Sequence, residues 1–319
     1  MKEMKDSRPT FSVIIPSWNA AATLRDTLDS LKAQDYPDWE AIVIDDGSTD
    51  DTALIIAEYC REDARFSTFK GNRMGPSAAR NIAGLVRSKA TYLAFLDSDD
   101  LWMPNKLSLT LQAFAANGKI DGLYGQISFF RLSPTKPETY STVYNRPLRP
   151  IDFLRDNPVC TMSNLVLKRS AFLSVGGFDE SIVHNEDVEL LVRLTSKRAL
   201  IQGISTHLVC YRTSLTGLSA NLQLMRAGWH KAVETLQASS MRLTEAELAA
   251  ADAGNLRYLA RRALRTGAPG FEALKLAYQG LTRSPRSFLN PLWRGGFTFV
   301  GALVAPFLPT FIRHLAFSR

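Results

Sequence analysis

The first hundred residues repeat one pattern. A short apolar run gives way to polar, turn-forming residues, and then to apolar residues at helical spacing. The runs lie at 11–16, 40–44, 66–69 and 92–96, each the length of a buried strand. Between them Leu24, Leu28 and Leu31, then Leu54, Ile55 and Tyr59, mark helical faces, and 75–85 reads as a small-residue helix. Such alternation with short connections predicts an α/β fold: a Rossmann-like, mostly parallel sheet with helices on both faces.

Beyond residue 104 the pattern loosens. Residues 120–131 and 164–167 read as strands, and 133–150 as a polar loop carrying four prolines, long enough for an active-site lid or binding loop. A short helix over 170–175 is closed by Gly176-Gly177, and Val188, Leu190, Leu191 and Leu194 mark another. After 208–212 the strands stop. Helices are expected over 222–236, 245–265 and 271–281, the second opened by a Thr244/Glu247 capping box. Residues 295–312 carry no charge, at the lower edge for a membrane span, and Pro306 and Pro309 interrupt a straight helix. This tail has two readings, a helix pair packed on the domain or attachment to a membrane, and we expect the second.

Charge sharpens that division. The net charge is +7, but residues 1–196 sum to −4 and 197–319 to +11. The basic back part suits an anionic surface, nucleic acid or membrane. Cys60, Cys160 and Cys210 are far apart and form no metal-type pair, so they read as reduced core thiols of a cytosolic protein. The polar residues 1–9 lack the apolar core of a secretory signal peptide.

The chemistry sits where strands end. Asp45-Asp46 follows the second strand and Asp97-Ser98-Asp99-Asp100 the fourth. Open α/β sheets bind ligands outside the carboxyl ends of their strands. Carboxylates this close repel unless a cation lies among them, and a divalent ion with oxygen ligands answers that need. Asp100 reads equally as the cap of the next helix. Asp187 lies at a helix start, where it is either an N-cap or a base whose proton affinity Glu186 and Glu189 raise. Trp102 either stacks on a ligand or packs in the core, and His184 is a loop residue open to a ligand contact.

Four motifs in order carry a resemblance: Ser12-Val13-Ile14-Ile15-Pro16 with Trp18-Asn19; Ile44-Asp45-Asp46-Gly47-Ser48-Thr49-Asp50; Asp97-Ser98-Asp99; and Gly176-Gly177-Phe178-Asp179-Glu180 with Glu186-Asp187. The chain resembles family 2 inverting glycosyltransferases of the GT-A fold over roughly three-fifths of its length. The resemblance implies that Asp45 and Asp46 contact base and ribose, that Pro16 and Ser17 border the nucleotide, and that Arg80 helps hold it. It implies that Asp97 and Asp99 grip ribose and a Mn²⁺ or Mg²⁺ on the diphosphate, and that Asp187 is the base. Glu186, Gly177, Trp102 and His184 are then acceptor-side candidates. The chain departs from the pattern after Tyr211-Arg212, where Thr213 and Ser214 replace a histidine near the metal.

The expected organisation is a tail over 1–9, a GT-A catalytic domain over 10–215 with a nucleotide-binding half (10–104) and an acceptor half (105–215), a helical region over 216–290, and a membrane-associating tail over 291–319. The expected partners are a nucleotide-sugar donor, with UDP favoured over dTDP or GDP, and a glycan or lipid-linked acceptor, with no nucleic acid. The implied place is the cytoplasmic face of the cell membrane, in cell-surface polysaccharide synthesis. Three alternatives compete. An aspartyl-nucleophile phosphatase would use Asp97, but wants Thr or Val where Asp100 stands. A nucleotidyltransferase needs a Gly-rich loop that the N-terminal region lacks. A non-catalytic, membrane-bound nucleotide-sugar-binding module would not need Asp97, Asp99 and Asp187 together.

Overall fold

The computed structural model describes residues 8–214, 221–266 and 268–308. The first two apolar runs form β1 (Phe11–Ser17) and β2 (Trp39–Asp45), joined by α1 (Leu24–Lys32) and paired in parallel so that Ser17 lies beside Asp45. Next come α2 (Thr52–Glu62), β3 (Phe66–Lys70), α3 (Gly75–Asn81) and β4 (Tyr92–Phe95). The chain continues with β5 (Leu101–Trp102), α4 (Lys106–Ala116), β6 (Gly122–Phe130), β7 (Thr139–Tyr140), α5 (Pro150–Arg155), β8 (Val166–Lys168), α6 (Arg169–Ser174), α7 (Glu186–Ser196) and β9 (Ile201–Arg212).

The strand order is β3-β2-β1-β4-β8-β6-β9-β5, with β7 on β6. The sheet is parallel over its first four strands and mixed beyond. Alternation sorts its side chains to two faces. Ile14, Ile42 and Ile44 enter the core with Phe95 and Phe172, while Val13, Ile15, Ala41 and Val43 enter the core with Leu24 and Leu28. Each such buried aliphatic side chain contributes about 1.5–3 kcal/mol. The helix after α3 lies so close to the sheet that a Cβ on Gly84 would stand 2.8 Å from Phe172 and 3.3 Å from Ile14. The loop at 133–150 is less free than a lid, because β7 pairs with Ser128 and Phe129 inside it.

The carboxyl-terminal helices are α8 (Leu222–Ala238), α9 (Glu245–Thr266), α10 (Gly270–Arg283), α11 (Pro285–Phe288) and α12 (Leu292–Val304). The capping box forms: Thr244 N–H donates to Glu247 at 3.0 Å, and Glu247 N–H donates to the Thr244 hydroxyl at 3.3 Å. These helices are fastened to the sheet domain. Trp229 donates its indole N–H to the Leu154 carbonyl at 2.8 Å, Asn185 Nδ2 donates to the Met225 carbonyl at 2.7 Å, and Arg257 pairs with Asp156 at 2.7 Å.

Helix α12 has two unlike sides. Gly295, Thr298, Gly301 and Ala302 face inward, so one side packs on the neighbouring helices. Leu292 (72%), Trp293 (62%) and Phe297 (74%) are exposed on the other with Val300, and Phe307 is exposed just beyond the helix. Among the described residues no helix is long and apolar enough to cross a membrane. The tail beyond residue 308, with Pro309, Arg313 and His314, lies outside the described residues, as do residues 1–7.

Candidate functional site

The parallel strands bring both acidic clusters to one end of the sheet, as their sequence positions imply. Ser17 is buried there, and its hydroxyl lacks a hydrogen-bond partner. Asp45 Oδ1 accepts the Ser48 N–H at 3.0 Å, closing its own turn. Asp46 accepts the N–H groups of Met74 and Gly75, both at 2.8 Å. Each oxygen of Asp46 thus accepts one backbone N–H, which fixes the loop before α3 and leaves further lone pairs on the carboxylate. Trp18, half exposed beside this turn, has the Arg73 guanidinium 5.8 Å from its ring. No spacing in the sequence links residues 18 and 73, so that pair was not foreseen.

Arg80 is buried at the centre of the site. Its Nη2 donates to Asp97 at 2.7 Å and its Nη1 to Glu186 at 2.9 Å, while its buried Nε has no partner. A side chain assigned to the nucleotide thus joins the aspartate strand end to the start of α7. Asp97 also accepts the Thr161 hydroxyl at 3.0 Å, and its N–H donates to Ser163 at 2.9 Å. Glu186 is held by Arg80 instead of turning towards an acceptor.

Asp99 differs from its neighbours. Among the described residues no other residue donates to its carboxylate, although its backbone carbonyl accepts Arg212 Nε at 3.0 Å. Burial, then the charge of Asp97, pushes its pKa up to about 6. A half-buried carboxylate with no donor from another described residue, beside a second one, suits a hard divalent cation with oxygen ligands. Asp100 is fully buried and accepts the Arg212 N–H at 3.0 Å and the Thr161 hydroxyl at 3.4 Å. It does not cap α4, whose N-cap is Asn105. Burial, then repulsion from Asp99 and Asp97, raises its pKa well above the carboxylate range.

Asp187 lies in the first turn of α7, whose N-cap Asn185 takes a left-handed conformation with φ 60°. Its Oδ2 accepts Asn157 Nδ2 at 2.9 Å. Burial first, then the charge of Glu186, raises its pKa to about 7. Glu189 plays no part in this crowding, contrary to expectation. It is buried and paired with Arg193 at 2.6 Å.

Three acceptor-side candidates are buried. Trp102 is core: it is 3% exposed and donates its indole N–H to the Ser163 carbonyl at 2.8 Å. Gly177 has φ +77° and is buried against Asn81, where an added Cβ would collide with the amide oxygen. His184 is buried, with its backbone packed under Gly228 of α8, rather than open on a loop. Cys160 is exposed instead of being a core thiol. Thr161, Asn157, Ser163 and Arg212 complete the site and were missed as functional residues. The aspartates they contact lie between 30 and 112 residues away, so no local pattern marks them.

Comparison with known proteins places this arrangement. The description of glycosyl transferase family 2 matches residues 12–176, just over half of the chain. The chain is 30% identical over 221 residues to UDP-Glc:alpha-D-GlcNAc-diphosphoundecaprenol beta-1,3-glucosyltransferase WfgD of Escherichia coli, covering 66% of this chain and 79% of that protein. It spans only 28% and 43% of two other curated relatives. S. aureus TarS 1-349 in complex with UDP-GlcNAc superposes with TM-score 0.60 at 17% identity, over 90% of this chain and 92% of that one. Mannosyltransferase PcManGT from Pyrobaculum calidifontis, in complex with GDP-Man and Mn²⁺, gives 0.58 at 19% identity, over 95% and 88%. The acidic clusters, their shared sheet end and these matches agree: the chain belongs to glycosyl transferase family 2 and has the GT-A fold.

Proposed function

We propose that this protein is an inverting, metal-dependent hexosyltransferase. It moves a sugar from a nucleotide-diphosphate donor, with UDP favoured, to a hydroxyl of a glycan or lipid-linked acceptor in cell-surface polysaccharide synthesis. The observation that carries the reading is a pair of unlike carboxylates, Asp99 and Asp187, whose immediate neighbours Asp97 and Glu186 are joined by Arg80. Asp99 has no other described residue donating to its carboxylate, and Asp187 has its pKa raised to about 7. WfgD, by its name, acts on UDP-Glc and a diphosphoundecaprenol acceptor, which supports the donor and acceptor classes.

Each residue has a task in this reading. Pro16, Ser17 and Asp45 border the nucleotide. Asp97 and Asp99 would hold Mn²⁺ or Mg²⁺, which when bound supplies positive charge against the leaving diphosphate. Asp187 takes the proton from the acceptor hydroxyl as that oxygen bonds to the anomeric carbon and the carbon–oxygen bond to diphosphate breaks. A single displacement inverts the centre. Asn157 orients the Asp187 carboxylate, and Arg80 sets its distance from the aspartate strand end. A panel of sugar nucleotides, assayed for nucleoside diphosphate release with and without Mn²⁺ and a lipid-linked acceptor, tests this. Phosphate release through a trapped phospho-aspartate, with no diphosphate, would favour the phosphatase alternative.

In the same proposal residues 10–215 are the catalytic domain, 216–290 a helical platform, and 291–319 the membrane-contacting tail at the cytoplasmic face. The exposed Leu292, Trp293 and Phe297 support shallow insertion of α12. Phe297→Glu with Trp293→Glu is expected to move the protein from membrane to supernatant on sedimentation with phosphatidylglycerol vesicles. Both side chains point to solvent, so the melting temperature should stay within about 2 °C. Unchanged sedimentation would remove the tail from the proposal.

A further inference from the structure

Several arginines of the carboxyl-terminal helices have partners, and Arg262 Nη2 donates to the Ser214 carbonyl at 3.1 Å. Arg226 and Arg283 pair with Asp252, and Arg257 with Asp156. Arg261 and Arg265 hold no ion pair or hydrogen bond through their side chains among the described residues. Arg294 stacks 5.2 Å from the Trp293 ring, and its buried Nε has no hydrogen-bond partner. These three are neighbours. Positions 257, 261 and 265 follow one another up a single face of α9, and Arg294 opens α12 beside it. Burial, then the charges of Arg265, Arg294 and Arg257, lowers the Arg261 pKa to about 10. Asp156 and Glu138 are near enough to act on Arg261 and Arg265 but bond to neither, so the gathered guanidiniums favour a further anion.

The cluster is next to the reaction site. Arg257 Nη2 donates to Asp156, and the adjacent Asn157 donates to Asp187, at 2.7 and 2.9 Å. Tyr258, on the same helix, is 42% exposed and close enough to Asp187, Cys160 and Arg265 to feel their charges. On its other side Arg294 adjoins the exposed apolar residues Trp293 and Phe297. An anion held here would have the base on one flank and an apolar face on the other.

We propose that Arg261, Arg265 and Arg294 bind the phosphate groups of the acceptor, a glycosyl phosphate or diphosphate whose apolar chain runs along α12. The inference rests on the transfer reading above and gives its acceptor a chemistry. Guanidinium groups suit phosphate by charge and by paired donors. Arg261, Arg265 and Arg294 make no contact with Asp97 or Asp99 among the described residues, so in this proposal a donor diphosphate and an acceptor phosphate have separate partners.

The test titrates inorganic pyrophosphate into protein saturated with UDP and Mn²⁺, so that the donor side is filled. The wild type should bind. Arg261→Ala with Arg265→Ala should bind about tenfold more weakly or worse, while Arg261→Lys with Arg265→Lys recovers part of the loss. Arg294→Ala is the second variant, should the double alanine protein not fold. No binding by the wild type, or equal binding by all variants, overturns the proposal. Phosphatidylglycerol and phosphatidylcholine vesicles form a separate arm. Arginine variants that lose only phosphatidylglycerol binding and keep pyrophosphate binding assign the cluster to the lipid surface, which also overturns it. Failure of the transfer reading is distinguishable: the protein would release no nucleoside diphosphate from any donor, yet bind pyrophosphate through these arginines.

Discussion

Asp187→Asn is expected to lower sugar transfer by about 10²–10⁴-fold, the usual contribution of a positioned general base. The substitution is nearly isosteric and keeps an oxygen for Asn157, which now donates to Asp187 at 2.9 Å. Donor binding should therefore be unchanged, because the carboxylates assigned to the donor lie beyond Arg80 on the aspartate strand end. The loss should fall on the rate constant and spare the affinity for nucleoside diphosphate, measured by calorimetry. An Asn variant with near-normal turnover would overturn the assignment. Glu186 would be a poor replacement, since its carboxylate is committed to Arg80 at 2.9 Å.

The pH dependence comes from the same group. Asp187 must be ionised to accept a proton, so activity should rise as pH passes about 7 and fall below it. Around it stand Glu186, Arg80, Cys160 and Tyr258. Glu186→Gln removes the repelling charge and should move the acid limb to lower pH. Stability runs the other way. The folded pKa is raised above the unfolded value, so the Asp187 contribution is fully present below about 4 and is lost as pH rises through about 7. Asp187→Asn removes that loss, and a thermal melt at pH 8 should show the variant at least as stable as the wild type. Activity and stability would then trade against each other at one carboxylate.

The order of elements was legible because each strand of the first half is a short apolar run and each helix shows a stripe. Alternation even predicts which of Val13, Ile14 and Ile15 turn to which core. The elements beyond β4 were harder. Val166–Lys168 and Leu101–Trp102 are short, and their partners lie more than forty residues away in sequence. Local pattern carries no record of such pairing.

The site divides in the same way. Asp45, Asp97 and Asp99 announce themselves as acidic residues just beyond apolar runs. Asp187 came only with the family motif, because a carboxylate at a helix start is ordinarily a cap. The supporting groups were illegible, and the errors share a cause. Glu189 is close to Asp187 in sequence, yet two residues along a helix point to different sides, and it reaches Arg193 one turn on. Trp102 and His184 are polar-tipped residues in a sequence that looks like loop, and both are buried by elements that arrive much later, β9 and α8.

Asp99→Ala should have the other large effect: loss of metal-dependent transfer by at least about 10³-fold, with nucleoside diphosphate binding no longer strengthened by Mn²⁺. The reason is what Asp99 lacks. Asp97 is balanced by Arg80 and Thr161, and Asp100 by Thr161 and the Arg212 N–H. No other described residue donates to the Asp99 carboxylate, and burial and Asp97 together raise its pKa. Removing it should relieve that repulsion and leave the fold intact, so the loss of activity would not be a loss of structure. Asp100→Asn provides the contrast. Its carboxylate is fully buried between Arg212 and Thr161, so this change should lower the melting temperature while retaining the response of nucleotide binding to Mn²⁺. If instead Asp99→Ala keeps the Mn²⁺ response and Asp100→Asn loses it, the cation is held one residue further along the strand end than proposed.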